Sequence, residues 1–135
     1  MVKDATFCHI GYVTDSIEAT AAEYVKAGYE KSQTWDDEIQ RTKICFLTRD
    51  GMPTIELVEP LNEKSSVNKT LAKTGVAPYH QCFEVPDIDK AFEQMTDDMG
   101  FIPLFRPVEA VAFNNRLICY LYKKEVGFVE LVSKY

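Results

Sequence analysis

The chain has 135 residues, 46% of them hydrophobic and 27% charged, with 8 Phe, 7 Tyr and 1 Trp. One domain of this length has apolar side chains enough for a core, which excludes disorder as a description of the whole chain. Fifteen Lys and Arg against 21 Asp and Glu leave a net charge of −6, the reverse of the basic excess that marks a nucleic-acid or anionic-membrane surface. The longest apolar run, Leu117 to Tyr122, is too short to span a bilayer, and Met1-Val2-Lys3-Asp4 lacks the layout of a secretory signal. The expectation is a cytoplasmic protein with no nucleic-acid and no membrane partner.

In chain order, Phe7 to Val13 reads as a strand. Asp15 or Ser16 caps a helix over Ile17–Lys26, whose apolar face is Ile17, Ala21, Tyr24 and Val25, and Gly28 stops it. Tyr29 to Trp35 reads as a second strand. Lys43–Thr48 and Thr54–Glu59 form a hairpin around Asp50-Gly51. Ser65 or Ser66 caps a short linker helix, about 65–74, that ends before Gly75. Then come a strand at His80–Val85, a helix over Ile88–Met99, a short strand near Phe101–Phe105, and a hairpin of Arg116–Tyr122 with Gly127–Val132. Cys8, Cys45, Cys82 and Cys119 each sit in an apolar strand-like stretch with no C-x-x-C pair, so they read as reduced, buried small hydrophobes rather than a zinc site.

The chain repeats itself. Ile44-Cys45-Phe46-Leu47 returns 74 residues later as Ile118-Cys119-Tyr120-Leu121, and Ile55-Glu56-Leu57-Val58 returns at the same offset as Val129-Glu130-Leu131-Val132. His9 pairs with His80 and Ile17 with Ile88, both 71 apart, and Gly28-Tyr29 pairs with Gly100-Phe101 at 72. Such small drift is what loop insertions between fixed elements produce. The expected fold is α+β: one domain over 1–135 made of two paired βαβββ modules, about 5–60 and 77–134.

The repeat also aligns the chemistry. The chain has only 2 His, and both lie on the first strand of a module; Glu56 and Glu130 lie on the last. Side chains alternate across a strand, so Glu56, between Ile55 and Leu57, and Glu130, between Val129 and Leu131, face away from their apolar neighbours, into solvent or a polar cavity. If the modules pair about a pseudo-twofold axis, two imidazoles and two carboxylates converge, a set that suits a divalent first-row metal with positions left open for water or substrate.

Paired βαβββ modules with a His opening each half and a Glu in each last strand resemble the vicinal oxygen chelate superfamily. It includes glyoxalase I, methylmalonyl-CoA epimerase, extradiol dioxygenases and antibiotic-resistance proteins. The residues that carry the resemblance are His9-Ile10-Gly11-Tyr12, the run Ile55 to Ser65, Tyr79-His80, Asn115-Arg116 and Gly127 to Leu131, closest to the epimerase-like branch. The resemblance implies a cup-shaped mixed sheet with helices outside, built within one chain or across a homodimer. It implies His9, Glu56, His80 and Glu130 as ligands of one divalent ion (cobalt, manganese, nickel or zinc), the family using Gln or Glu at the Glu56 position.

The reaction so implied removes a proton beside the carbonyl of a small-molecule thioester or hemithioacetal. Glu130 and Glu56 would be the acids and bases, acting on opposite faces of one carbon to permit inversion. The leading activity is that of methylmalonyl-CoA epimerase. The alternatives are lactoylglutathione lyase (glyoxalase I), a metal-free binding protein of the antibiotic-resistance type, and extradiol ring cleavage, against which the additional Glu counts. Epimerases resemble one another in a further acid before the third strand. Glu38 is the nearest candidate here, although Ile39 stands at the aligned position. Of the remaining polar groups, Arg116 and Asn115 suit an anionic substrate group or a surface or structural role, and Cys82 shares the His80 face by alternation, which would let it line the cavity. Lys64, Lys69 and Lys73 form a solvated face or meet the phosphates of a CoA tail. Trp35 and Phe105 wall a pocket or fill core.

Overall fold

Eight strands and three helices form in the computed structural model, which describes residues 2–135. Met1, part of the N-terminal segment read above, lies outside the described residues. The strands are β1 (Thr6–Val13), β2 (Glu30–Asp37), β3 (Thr42–Thr48), β4 (Ile55–Pro60), β5 (Ala77–Val85), β6 (Ile102–Ala110), β7 (Arg116–Lys123) and β8 (Gly127–Ser133). The helices are α1 (Ile17–Lys26), α2 (Val67–Thr74) and α3 (Ile88–Glu93). The described residues divide into two units, 9–79 and 80–135 together with those before His9. Each carries the βαβββ order expected from the repeat. Among the described residues, no helix is long and apolar enough to cross a membrane.

In the unit 9–79 the strand order is β2-β3-β4-β1, with β4 parallel to β1 and the other neighbours antiparallel. Alpha-helix α1 covers one face of this sheet: Ile17 and Ala21 pack on Cys45, Leu47, Ile55 and Leu57, with Tyr12, Tyr24 and Tyr29 at the border. Burial raises the Tyr24 phenol to about 12, helped by its hydrogen bond with Tyr12. The start of α1 is held three ways, because its first amides have no partner inside the helix. Ser16 Oγ accepts from Ala19 N–H at 3.1 Å, Glu59 Oε1 accepts from Ile17 N–H at 2.8 Å, and Thr14 Oγ1 accepts from Ser16 N–H at 3.0 Å. Gly28, at φ +90°, ends the helix in a conformation that disfavours a β-carbon. Replacing Ser16 with Ala is expected to cost about 1 kcal/mol, and replacing the fully buried Leu57 with Ala about 2–5 kcal/mol, both read from urea unfolding midpoints.

On the opposite face of the same sheet, Val67 and Leu71 of α2 pack on Val13, Val58 and Tyr79. The capping expected from Ser65 or Ser66 does not form. Ser66 holds the N-cap position in an already helical conformation, without a side-chain bond. Asn68 instead ties the turn, its Nδ2 donating to the Asn62 and Ser65 carbonyls at 2.9 and 3.0 Å.

The second unit repeats this plan as β5-β8-β7-β6, β5 being parallel to β8. Alpha-helix α3 covers one face, with Ile88, Ala91, Phe92 and Met95 packed on Val85, Cys119, Leu121, Val129 and Leu131. The helix expected over Ile88–Met99 changes pitch on the way: after Glu93 it widens into a π-helical turn, Gln94–Asp98. Gly100, at φ +74°, then lets Phe101 N–H reach back to the Met95 carbonyl at 3.0 Å.

Three strands run past their expected bounds by two residues or more, among them β5, which begins at Ala77 and not at His80. The second strand, read as Tyr29 to Trp35, continues to Asp37 because Asp36 and Asp37 pair with Lys43 and Thr42. The strand read near Phe101–Phe105 runs on to Ala110. Pro103 and Pro107 hid it, since proline breaks a strand pattern. Here they stand on an edge strand whose register shifts twice, where missing amides are tolerated.

Candidate metal centre

Each unit builds the same buried pair. In the unit 9–79, Ile55 and Leu57 face α1, which sends Glu56 to the other side of β4. Glu56 lies in register with Gly11 of β1 and Phe46 of β3. His9 precedes Gly11 by two residues and so shares its face. His9 Nε2 stands 3.4 Å from Glu56 Oε1, with the two side chains 0% and 1% exposed. In the other unit, Val129 and Leu131 pack in the α3 core, and Glu130 faces the other way, in register with Cys82 and Tyr120. His80 Nε2 stands 3.2 Å from Glu130 Oε1, with the side chains 0% and 2% exposed. Cys82 occupies the place that Gly11 holds in the first unit.

A buried carboxylate is costly unless positive charge compensates it. The donor set of each unit, one imidazole nitrogen and one carboxylate oxygen, is what zinc and its first-row neighbours accept. Two donors each about 2.1 Å from such an ion and at right angles to each other stand about 3 Å apart, close to the spacing seen in both units. The pairs therefore fit a divalent ion on geometry and on charge.

The remaining candidates fall in different places. Glu38 is exposed, in the turn 38–41 after β2. The buried acid of that segment is Asp37, whose carboxylate accepts from Gln40 N–H and Gln40 Nε2 at 2.9 and 2.7 Å. Arg116 is bound up in the fold: Nη1 donates to Glu84 Oε2 and to the Ser133 carbonyl, both at 3.1 Å, and the guanidinium lies 5.4 Å from the Phe113 ring centroid. Arg116→Ala is expected to lower stability by about 1 kcal/mol, since the ion pair is partly solvated, as an unfolding midpoint would show. Asn115 is an exposed turn residue at φ +63°, a conformation asparagine tolerates better than most residues.

Cys82 is fully buried on the Glu130 face, where alternation put it. Cys45 and Cys119 are also fully buried and Cys8 is half-buried, all as thiols. Burial, and then the charge of Glu130, push the Cys119 thiol up to about 12. Lys64, Lys69 and Lys73 are exposed.

Two residues at the site went unassigned in the sequence. Phe46 packs edge-to-face on His9, with ring centroids 5.8 Å apart, and Tyr120 packs in the same way on His80 at 5.1 Å. The signal was present, since Phe46 and Tyr120 are equivalent members of the repeated tetrapeptides.

Comparison with known proteins agrees with this geometry. Residues 8–120 match the family model of the Glyoxalase/Bleomycin resistance protein/Dioxygenase superfamily, and the chain belongs to that superfamily. Among solved structures, a hypothetical protein from Bacillus halodurans C-125 is 26% identical with a TM-score of 0.84, over 98% of this chain and 96% of that one. A variant of Streptomyces coelicolor methylmalonyl-CoA epimerase in complex with 2-nitronate-propionyl-CoA is 29% identical with a TM-score of 0.80, over 94% and 95%. The methylmalonyl-CoA epimerase of Mycobacterium tuberculosis, at 21% identity and a TM-score of 0.83 over 96% and 87%, shares the fold. No curated protein matches the sequence significantly. The chain is thus a superfamily member that resembles methylmalonyl-CoA epimerases in structure.

Proposed function

We propose that this protein is a metal-dependent enzyme that moves a proton at the carbon beside a thioester carbonyl, as methylmalonyl-CoA epimerase does. In this reading, as the family resemblance implies, His9, Glu56, His80 and Glu130 hold one divalent ion, cobalt, manganese, nickel or zinc, each unit offering one nitrogen and one oxygen donor. The observation that carries it is the recurrence of a buried His–Glu pair at equivalent strand positions in both units. The 29% identity to an epimerase whose structure holds 2-nitronate-propionyl-CoA supports the thioester class.

When bound, the ion supplies a Lewis acid for the carbonyl oxygen as negative charge develops there. The chain's own residues do the rest. His9 and His80, as neutral imidazoles, contribute nitrogen donors without adding charge. Glu130, ionised, takes the proton from the carbon beside the carbonyl, and Glu56, carrying a proton at the start of the step, delivers it to the opposite face, which inverts the centre and leaves Glu130 protonated and Glu56 ionised. Glu56 takes the second role because Glu38 is exposed in its turn and because this chain has a carboxylate where the family resemblance also allows an amide. Burial of all four side chains keeps bulk water from competing as proton donor. Cys82, on the face of Glu130, borders the substrate in this reading, whereas the bonds of Arg116 serve the fold.

The exposure of Glu38 also favours a second reading, isomerisation of a hemithioacetal as in glyoxalase I, which needs no acid in that turn. Incubating metal-loaded protein with methylmalonyl-CoA in deuterated water separates the two. Deuterium at the carbon beside the carbonyl, seen by mass spectrometry, supports the epimerase. Turnover of the methylglyoxal–glutathione adduct alone supports the lyase, and neither result rejects both.

A further inference from the structure

Both histidines end an aromatic ladder that crosses its own sheet. In the unit 9–79, His9 meets Phe46 at 5.8 Å and an interplanar angle of 63°, and Phe46 meets Trp35 at 5.9 Å and 66°. In the other unit, His80 meets Tyr120 at 5.1 Å and 87°, and Tyr120 meets Phe105 at 5.8 Å and 60°. Phe46 and Tyr120 each lie in register with the Glu of their pair. Trp35 is paired through β3 with Ile44, and Phe105 with Tyr120 itself. The inner ring, Phe46 or Tyr120, therefore occupies equivalent positions twice, one strand further out than the carboxylate, while the outer rings, Trp35 and Phe105, stand on the next strand at different registers.

We propose that Phe46 and Tyr120 are positioning residues, which hold the imidazoles of His9 and His80 with Nε2 turned to Glu56 and Glu130, and that Trp35 and Phe105 brace them. An imidazole left to itself rotates about its Cβ–Cγ bond and offers either nitrogen. An aromatic ring edge-to-face with it, at 63° in one unit and 87° in the other, restricts the plane of the imidazole and attracts it, and within that plane the neighbouring carboxylate selects the edge that carries Nε2. The distances agree with this: with each ladder in place, Nε2 is the nitrogen found 3.4 and 3.2 Å from carboxylate oxygen. The two modules keep the ring while changing its chemistry, Phe in one and Tyr in the other. The shared feature is therefore the aromatic face and not a hydroxyl. This inference rests on the metal reading above, and groups that orient a metal's ligands typically change its affinity by about 10–100-fold when removed.

The test uses the 135-residue chain loaded with cobalt(II), whose visible absorption reports ligand geometry. Phe46→Leu and Tyr120→Leu are expected to weaken cobalt binding about 10–100-fold in competition with a chelator and to shift the cobalt bands. Tyr120→Phe should stay within about twofold of the unmodified protein in affinity, with the same spectrum. Should a Leu variant fail to fold, Trp35→Leu and Phe105→Leu, at half-buried positions, are expected to show the same spectral shift with a smaller loss of affinity. Unchanged affinity and spectrum in the Leu variants would overturn the proposal, as would a Tyr120→Phe variant as impaired as Tyr120→Leu. Loss of cobalt in His80→Ala but not in the ladder variants would reject this inference alone. Retention of cobalt in both His9→Ala and His80→Ala would reject the metal reading beneath it.

Discussion

Glu130→Gln is expected to slow deuterium exchange beside the carbonyl by about a thousandfold, a loss typical of removing a general base. Glu56→Gln should behave differently. If Glu130 removes the proton and Glu56 supplies its replacement on the other face, the Glu56 variant keeps exchange and loses inversion. Chiral analysis of recovered methylmalonyl-CoA beside its deuterium content reads both quantities in one experiment. Equal loss of exchange and inversion in the two variants would show that the carboxylates do not divide the work by face. Both substitutions conserve side-chain size at positions 1–2% exposed, so the comparison is not dominated by cavities. The buried position of each acid makes a large effect reasonable, because a misplaced proton donor there is not readily replaced by bulk water.

Metal-loaded protein is expected to melt well above protein treated with a chelator. An ion at about a thousand times its dissociation constant stabilises the native state by about 4 kcal/mol, which for a chain of this size is roughly 10–15 °C. His80→Ala should shrink that difference and lower bound metal measured by elemental analysis, since one of the nitrogen donors is gone. Differential scanning calorimetry of both forms, with and without cobalt, manganese, nickel or zinc, gives the answer. Identical melting of loaded and chelated protein would favour a metal-free binding role. The sign follows from linkage: an ion that binds the folded state and not the unfolded chain can only stabilise.

Much of this was legible before any coordinates. The alternation Ile55-Glu56-Leu57 and Val129-Glu130-Leu131 placed both carboxylates opposite the helix-covered face, and α1 and α3 do cover Ile55, Leu57, Val129 and Leu131. Cys82 faces Glu130 for the same reason. The misplaced strand ends share a cause, which is competition between local signals and pairing. Prolines 103 and 107 mark a break to a reader of local pattern, yet β7 supplies the pairing that carries β6 to Ala110. The run 36–41 reads as a loop of acids, yet Asp36 and Asp37 are drawn into β2 by Lys43 and Thr42, leaving Glu38 exposed in the turn. Arg116 reads in sequence as suiting either an anionic substrate group or a structural role, and only the ends of β5 and β8 reveal Glu84 and the Ser133 carbonyl 3.1 Å from it.

Sequence by itself determined the duplication, the βαβββ order of each module and the face on which each His and Glu stands, because these follow from the order of residues and a period of two. Tertiary structure alone decided which atoms meet. His9 and Glu56 are 47 residues apart in the chain, and the 3.4 Å between them exists because β1 and β4 pair in parallel with Gly11 beside Glu56. A slip of one residue in that register would turn the carboxylate to the α1 face. The rings of Phe46 and Tyr120 reach their histidines through the same registers, which no local pattern encodes.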